Sequence, residues 1–134
     1  MASLPWDFVA LGVPISVQAS GTSKARWRTA VAAAAQARWG ADPPLDVDVL
    51  LRLTYFHESA PLDVDNMIKP IQDALNGIVY IDDKQVAQVV SGRADLNGPF
   101  RVRGLSEALA AGFVSDGPFV HIKVEPAPDA QELP

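Results

Sequence analysis

The chain has 134 residues, 49% of them hydrophobic and 20% charged, with eleven Lys and Arg against sixteen Asp and Glu for a net charge of −5. That length and apolar content describe one domain with a real core and exclude intrinsic disorder, and no apolar run reaches the roughly 18 residues of a membrane span. Zero cysteines exclude disulfides, thiolate metal sites and cysteine nucleophiles, and together with the lack of a basic-then-apolar leader pattern they predict a cytoplasmic protein, while the acidic balance, read alone, argues against nucleic acid.

Trp6 to Val17 is apolar enough for a strand, with Gly12 and Pro14 marking a bend or an edge position. Ser20-Gly21-Thr22-Ser23 supplies the start of a helix running to about Trp39. Its centre, Ala30 to Ala37, is mostly alanine, which favours helix and permits close packing, and Asp42-Pro43-Pro44 stops it. From Asp46 to Phe56 the pattern alternates: Val47, Val49, Leu51, Leu53 and Tyr55 on one face, Asp46, Asp48, Arg52 and Thr54 on the other. That is a half-buried strand. A second helix is expected over Asn66 to Asn76, closed by Gly77. Gln85 to Arg93 reads as a strand, Leu105 to Ala111 as a short helix and Phe119 to Glu125 as a last strand. The order β-α-β-α-β-(α)-β predicts an α/β (α+β) fold, a small mixed β-sheet flanked by helices in a single domain. That domain spans 1–125, and the proline-rich stretch 126–134 reads as a flexible C-terminal tail.

The chemistry concentrates between residues 62 and 86. On the second helix Met67, Ile68, Ile71, Ala74 and Leu75 share one side, while Asp65, Lys69, Gln72, Asp73 and Asn76 share the other. Asp63 and Asp65 open the helix, where extended backbone points both side chains the same way. Pro70 lies too deep in the expected helix to be harmless and predicts a kinked or irregular first turn. Asp82 and Asp83 then interrupt an apolar run just before a strand. If that strand packs beside the helix start, three or four carboxylates converge, and they need a hard divalent cation, Mg²⁺ with Mn²⁺ as a substitute. Such a cation activates water and stabilises charge developing on a phosphate. Taken singly, each feature also has an ordinary explanation. Asp-x-Asp caps a helix, Lys69 pairs with Asp65 one turn away, and Asp-Asp forms a turn.

The three pieces Asp63-Val64-Asp65-Asn66-x-x-Lys69, Asp73-Ala74-Leu75-Asn76-Gly77 and Tyr80-Ile81-Asp82-Asp83-x-Gln85-Val86 together resemble the signature of RusA-type Holliday junction resolvases. The resemblance implies a homodimeric, Mg²⁺-dependent endonuclease that hydrolyses phosphodiester bonds in branched DNA, in recombination and repair. It implies that Asp63, Asp65 and Asp83 bind metal, with Asp82 an auxiliary acid, and that Lys69 is the catalytic lysine. Asp73 and Asn66 match as supporting residues. Where the family often carries basic residues before the first aspartate, this chain has His57-Glu58-Ser59-Ala60-Pro61-Leu62.

DNA needs cations, and they are clustered. Lys24, Arg26, Arg28 and Arg38 fall in a helix without an acid, with Lys24, Arg28 and Arg38 on one stripe. Arg93, Arg101 and Arg103 bracket a glycine-containing loop against the single acid Asp95. In a dimer these form a track for phosphates, the groups that dominate nucleic-acid affinity; the plainer reading is two solvated faces. Phe100 is a candidate to stack on bases, or an anchor of its loop. His57 and His121 have no ligand spacing and no assigned role. No glycine-rich phosphate loop, nucleophile elbow or zinc-binding His pair is present, which leaves nucleotide cofactors unsupported. The competing expectation is a non-catalytic dimer that binds DNA structure or a protein, and a third keeps the chemistry but acts on flaps, forks or RNA.

Overall fold

The computed structural model describes residues 3–14, 21–58 and 65–128. Strand β1 (Trp6–Leu11) leads to helix α1 (Gly21–Trp39), β2 (Val49–His57), α2 (Ile68–Ala74), a 3₁₀ turn (Asp83–Gln85), β3 (Val86–Asp95), α3 (Glu107–Val114) and β4 (Phe119–Pro126). The strands form a four-stranded mixed sheet in the order β1-β4-β2-β3, with β4 antiparallel to both neighbours and β3 parallel to β2. The α/β fold class and the element order are those the sequence predicts, and α3 is a regular helix.

One face of the sheet carries the main core. Phe8 and Ala10 of β1, Leu51, Leu53 and Tyr55 of β2, and Val120, Ile122 and Val124 of β4 pack with Trp27, Val31, Ala35 and Trp39 of α1. The α1 residues recur every fourth position, which puts them on one stripe, and the alanines between them let the helix lie close to the sheet. Burying each Val or Leu here stabilises the fold by roughly 1.5–3 kcal/mol. Met67, Ile71 and Leu75 join the same cluster at the same spacing, so α2 lies on the α1 side.

The opposite face is half covered. Phe56, Leu109 and Phe119 form a second cluster with Val9, Ala94, Leu96 and Phe113, under α3. Ser106 caps that helix by accepting from the Leu109 amide. Helix and sheet approach so closely at Gly112 that an added Cβ would stand 2.6 Å from the Phe119 ring.

Several boundaries differ from expectation. The second helix starts at Ile68, after a turn at 65–67. Pro70 is therefore its third residue, where the amide has no acceptor within the helix, and it fits without a kink. Val47 lies at a bend before β2 rather than on its inner face, and is 50% exposed. β4 extends one residue past the domain boundary expected at 125. Residues 129–134 of the expected tail, and 15–17 of the first expected strand, lie outside the described residues.

Candidate active site

Helix α2 is short, and its buried Ile71 and Ala74, with Met67 and Leu75 flanking its two ends, press it onto the core. The remaining side presents Lys69 and Asp73 to solvent. Lys69 Nζ lies 2.9 Å from Asp73 Oδ1, one turn on, and 2.9 Å from Asp83 Oδ2, which arrives from the 3₁₀ turn before β3. Its i, i+4 partner is thus Asp73; no Lys69–Asp65 ion pair occurs among the described residues. The bond to Asp83, and then that to Asp73, raise the Lys69 ammonium well above the usual lysine value. The bond from Lys69, then one with Asp82, lower the Asp83 carboxyl. Lys69 is a cation held against two carboxylates.

Tyr80 ties this arrangement down. Its ring is fully buried, and its hydroxyl donates to the Gln72 carbonyl at 2.7 Å, holding the end of α2. Burial pushes its phenol far up, and the charges of Asp83, Asp73 and Asp82 push it further. Gly77, with φ +78°, turns the chain from α2 back to Tyr80 and donates to the Tyr80 carbonyl at 2.7 Å.

The Asp82-Asp83 pair is shaped by a residue that sequence reasoning left without a role. Gln85 Oε1 accepts from the amides of Ile81 (3.0 Å) and Asp82 (3.1 Å), and its Nε2 donates to the carbonyls of Leu45 (2.8 Å) and Val47 (2.9 Å). Asp82 reciprocates by accepting from the Lys84 amide at 2.9 Å, a capping box. The spacing Asp82-x-x-Gln85 is the signal that was available in the sequence. Asp82 therefore has a structural task, which leaves Asp83 directed at Lys69.

Asp65 is exposed in the turn before α2, with its carbonyl accepting from the Ile68 amide at 3.4 Å. Asp63 lies outside the described residues. Among the described residues no three acidic or histidine side chains come together as a metal site. The acids present offer oxygen atoms only, the donor type suited to Mg²⁺ or Mn²⁺.

The expected DNA-contacting cations fall in separate places. Lys24 and Arg28 of α1 line a cavity of about 340 Å³ with Lys69, Pro70 and Asp73, which brings them beside the lysine. Arg26 faces elsewhere, beside Leu11, Val13 and Trp27. Arg93 is exposed on β3. Arg101 and Arg103 line a cavity under the other face of the sheet. Arg38 departs from the expected stripe, because its Nε donates to the Asp7 carbonyl at 2.6 Å. Phe100 anchors its loop, stacked on Phe113 at 5.7 Å and edge-on to Phe56. His121 has a partner, Asp7 Oδ2 at 2.7 Å, while His57 is buried with Nδ1 unbonded among the described residues.

A lysine paired with two acids, with Lys24 and Arg28 lining the same cavity, forms the charged cluster of this small α/β domain. The family Endodeoxyribonuclease RusA matches residues 17–103, more than half of the chain and all of the lysine–acid cluster, and the chain belongs to that family. Its reaction class is accordingly endonucleolytic hydrolysis of DNA. No curated protein matches the chain. No described helix is long and apolar enough to cross a membrane.

Proposed function

We propose that the protein is a Mg²⁺-dependent endonuclease that resolves Holliday junctions, acting as a homodimer so that two sites meet the two symmetric strands of a junction. The observation that carries this reading is the Lys69 bridge between Asp73 and Asp83, which helix capping and turn formation do not require. Asp63, Asp65 and Asp83 would hold the cation, with Asp82 at its margin; Mn²⁺ suits the same oxygens. The bound cation supplies activation of the attacking water and stabilisation of charge on the phosphate. Lys69 places a fixed positive charge beside the scissile phosphate, where charge accumulates in the transition state. Tyr80 and Gln85 orient the acids. Lys24 and Arg28 hold the adjoining backbone phosphates, and Arg26, Arg93, Arg101 and Arg103 extend the contact to other arms of the branched DNA. The absence of cysteine supports a cytoplasmic setting, in recombination and repair.

The capping role of Asp82 favours the rival reading, a binding module whose acids are structural. A cleavage panel of four-way, three-way, flap and linear duplex DNA with Mg²⁺ separates them. Preferential cutting of the four-way junction is expected. Preference for flaps or three-way branches would move the substrate, and no cutting of any would leave the binding module.

A further inference from the structure

On the sheet face away from α2 lies a cavity of about 470 Å³, within the range of small-ligand sites, that stands apart from the Lys69 cluster and shares only Arg101 and Arg103 with the DNA contacts proposed above. Its floor is a cross-strand grid: Arg52 beside Lys123 and Thr54 beside His121. Its wall is the loop carrying Phe100, Arg101 and Arg103. Four basic residues line it against one acid, Asp7. Asp7 is already engaged, accepting from Ser106 and lying against His121 and Arg38. Arg52 pairs with Glu125, whereas Arg101, Arg103 and Lys123 make no ion pair among the described residues. A chain of net charge −5 thus gathers uncompensated positive charge in one concavity, where low-dielectric walls strengthen its pull on anions. The concavity also has an aromatic side. Phe100 is 42% exposed, and its ring is fixed by Phe113 and Phe56, which leaves the rest of it available at little entropic cost.

A cationic cluster beside a fixed, half-open aromatic ring matches a group with a phosphate at one end and a flat base at the other. We propose that this cavity binds a nucleotide, with Arg101, Arg103 and Lys123 on its phosphate and Phe100 against its base. The source is an unpaired nucleotide of a DNA strand or a free nucleotide. The cavity admits one such unit and is too small for a duplex.

The test is anisotropy of fluorescein-labelled (dT)₆ with the full-length protein in EDTA, where cleavage plays no part and its failure leaves the nuclease reading untouched. Binding is expected to weaken at least tenfold in Lys123→Glu, severalfold in Phe100→Ala, and not at all in the charge-matched Lys84→Glu. Arg103→Glu, in the exposed loop, repeats the test should Lys123→Glu disturb β4. Unlabelled dTMP that competes as well as (dT)₆, nucleotide for nucleotide, identifies a free nucleotide; competition more than tenfold weaker identifies the strand. Absence of binding by wild type, equal weakening by Lys84→Glu, or inorganic phosphate competing as well as dTMP would overturn the proposal.

Discussion

Lys69 Nζ and Asp83 Oδ2 stand 2.9 Å apart although fourteen residues separate them. The contact joins α2 to the turn before β3, the two segments that carry the acids of the site. Its geometry depends on residues with no chemistry of their own, and several consequences can be measured.

Gln85 is the first. Its side chain bonds two amides and two carbonyls, so Gln85→Ala leaves four backbone groups to water and frees the Asp82-Asp83 turn. A loss of about 1–2 kcal/mol is expected in urea denaturation, with a fall in DNA cleavage larger than the change in stability explains. Unaltered cleavage would mean that the turn positions itself.

Gly112 sets the distance between α3 and the sheet. A methyl group there meets the Phe119 ring at 2.6 Å, too close to be accommodated without moving the helix. Gly112→Ala should cost about 1–3 kcal/mol, read as a lowered Tm. No change would show that α3 shifts freely over Phe119.

Asp7 makes stability depend on pH. Burial raises its carboxyl, but bonds from Ser106 and His121 and the charge of Arg38 outweigh that and hold it below 3.8. A carboxyl whose folded value is depressed contributes stability that is complete above the unfolded value and is lost as pH falls through the folded one. The stability gap between wild type and Asp7→Asn, measured in urea, should therefore be widest at pH 7 and shrink steadily below pH 3.8. A gap independent of pH would show that the carboxylate charge is not what matters.

Cation binding to the folded state alone raises the melting temperature by linkage, equivalent to about 2.7 kcal/mol at a hundredfold excess over Kd. Mg²⁺ should stabilise the wild type and leave Asp63→Asn and Asp83→Asn unmoved in a thermal melt. Equal gains in all three would place Mg²⁺ elsewhere.

Local pattern made much of this legible. The alanine-rich stretch and the every-fourth-residue spacing of Trp27, Val31, Ala35 and Trp39 identify α1, and the alternation from Val49 to Tyr55 identifies β2. The three motif pieces identify the family that the match over residues 17–103 establishes. The helix start was harder, because Asp65 and Asn66 look like caps while Pro70 fits only if the helix begins at Ile68. Contacts made at long range were not legible at all. Arg38 reads as one more cation on a helix until it meets Asp7, 31 residues away. His121 has no motif, yet it faces the same Asp7 across 114 residues. Asp82 accepts from the Lys84 amide in a capping box with Gln85, a role that the spacing Asp82-x-x-Gln85 made legible.

The central claim is that the Lys69–Asp83 pair marks the catalytic centre, and the most direct measurement is the rate of four-way junction cleavage in Mg²⁺. Wild type is expected to cut, Lys69→Ala to be slower by about 10²–10³-fold, and Asp83→Asn to be inactive, with all three equally folded. Cleavage by Asp83→Asn at the wild-type rate would contradict the account.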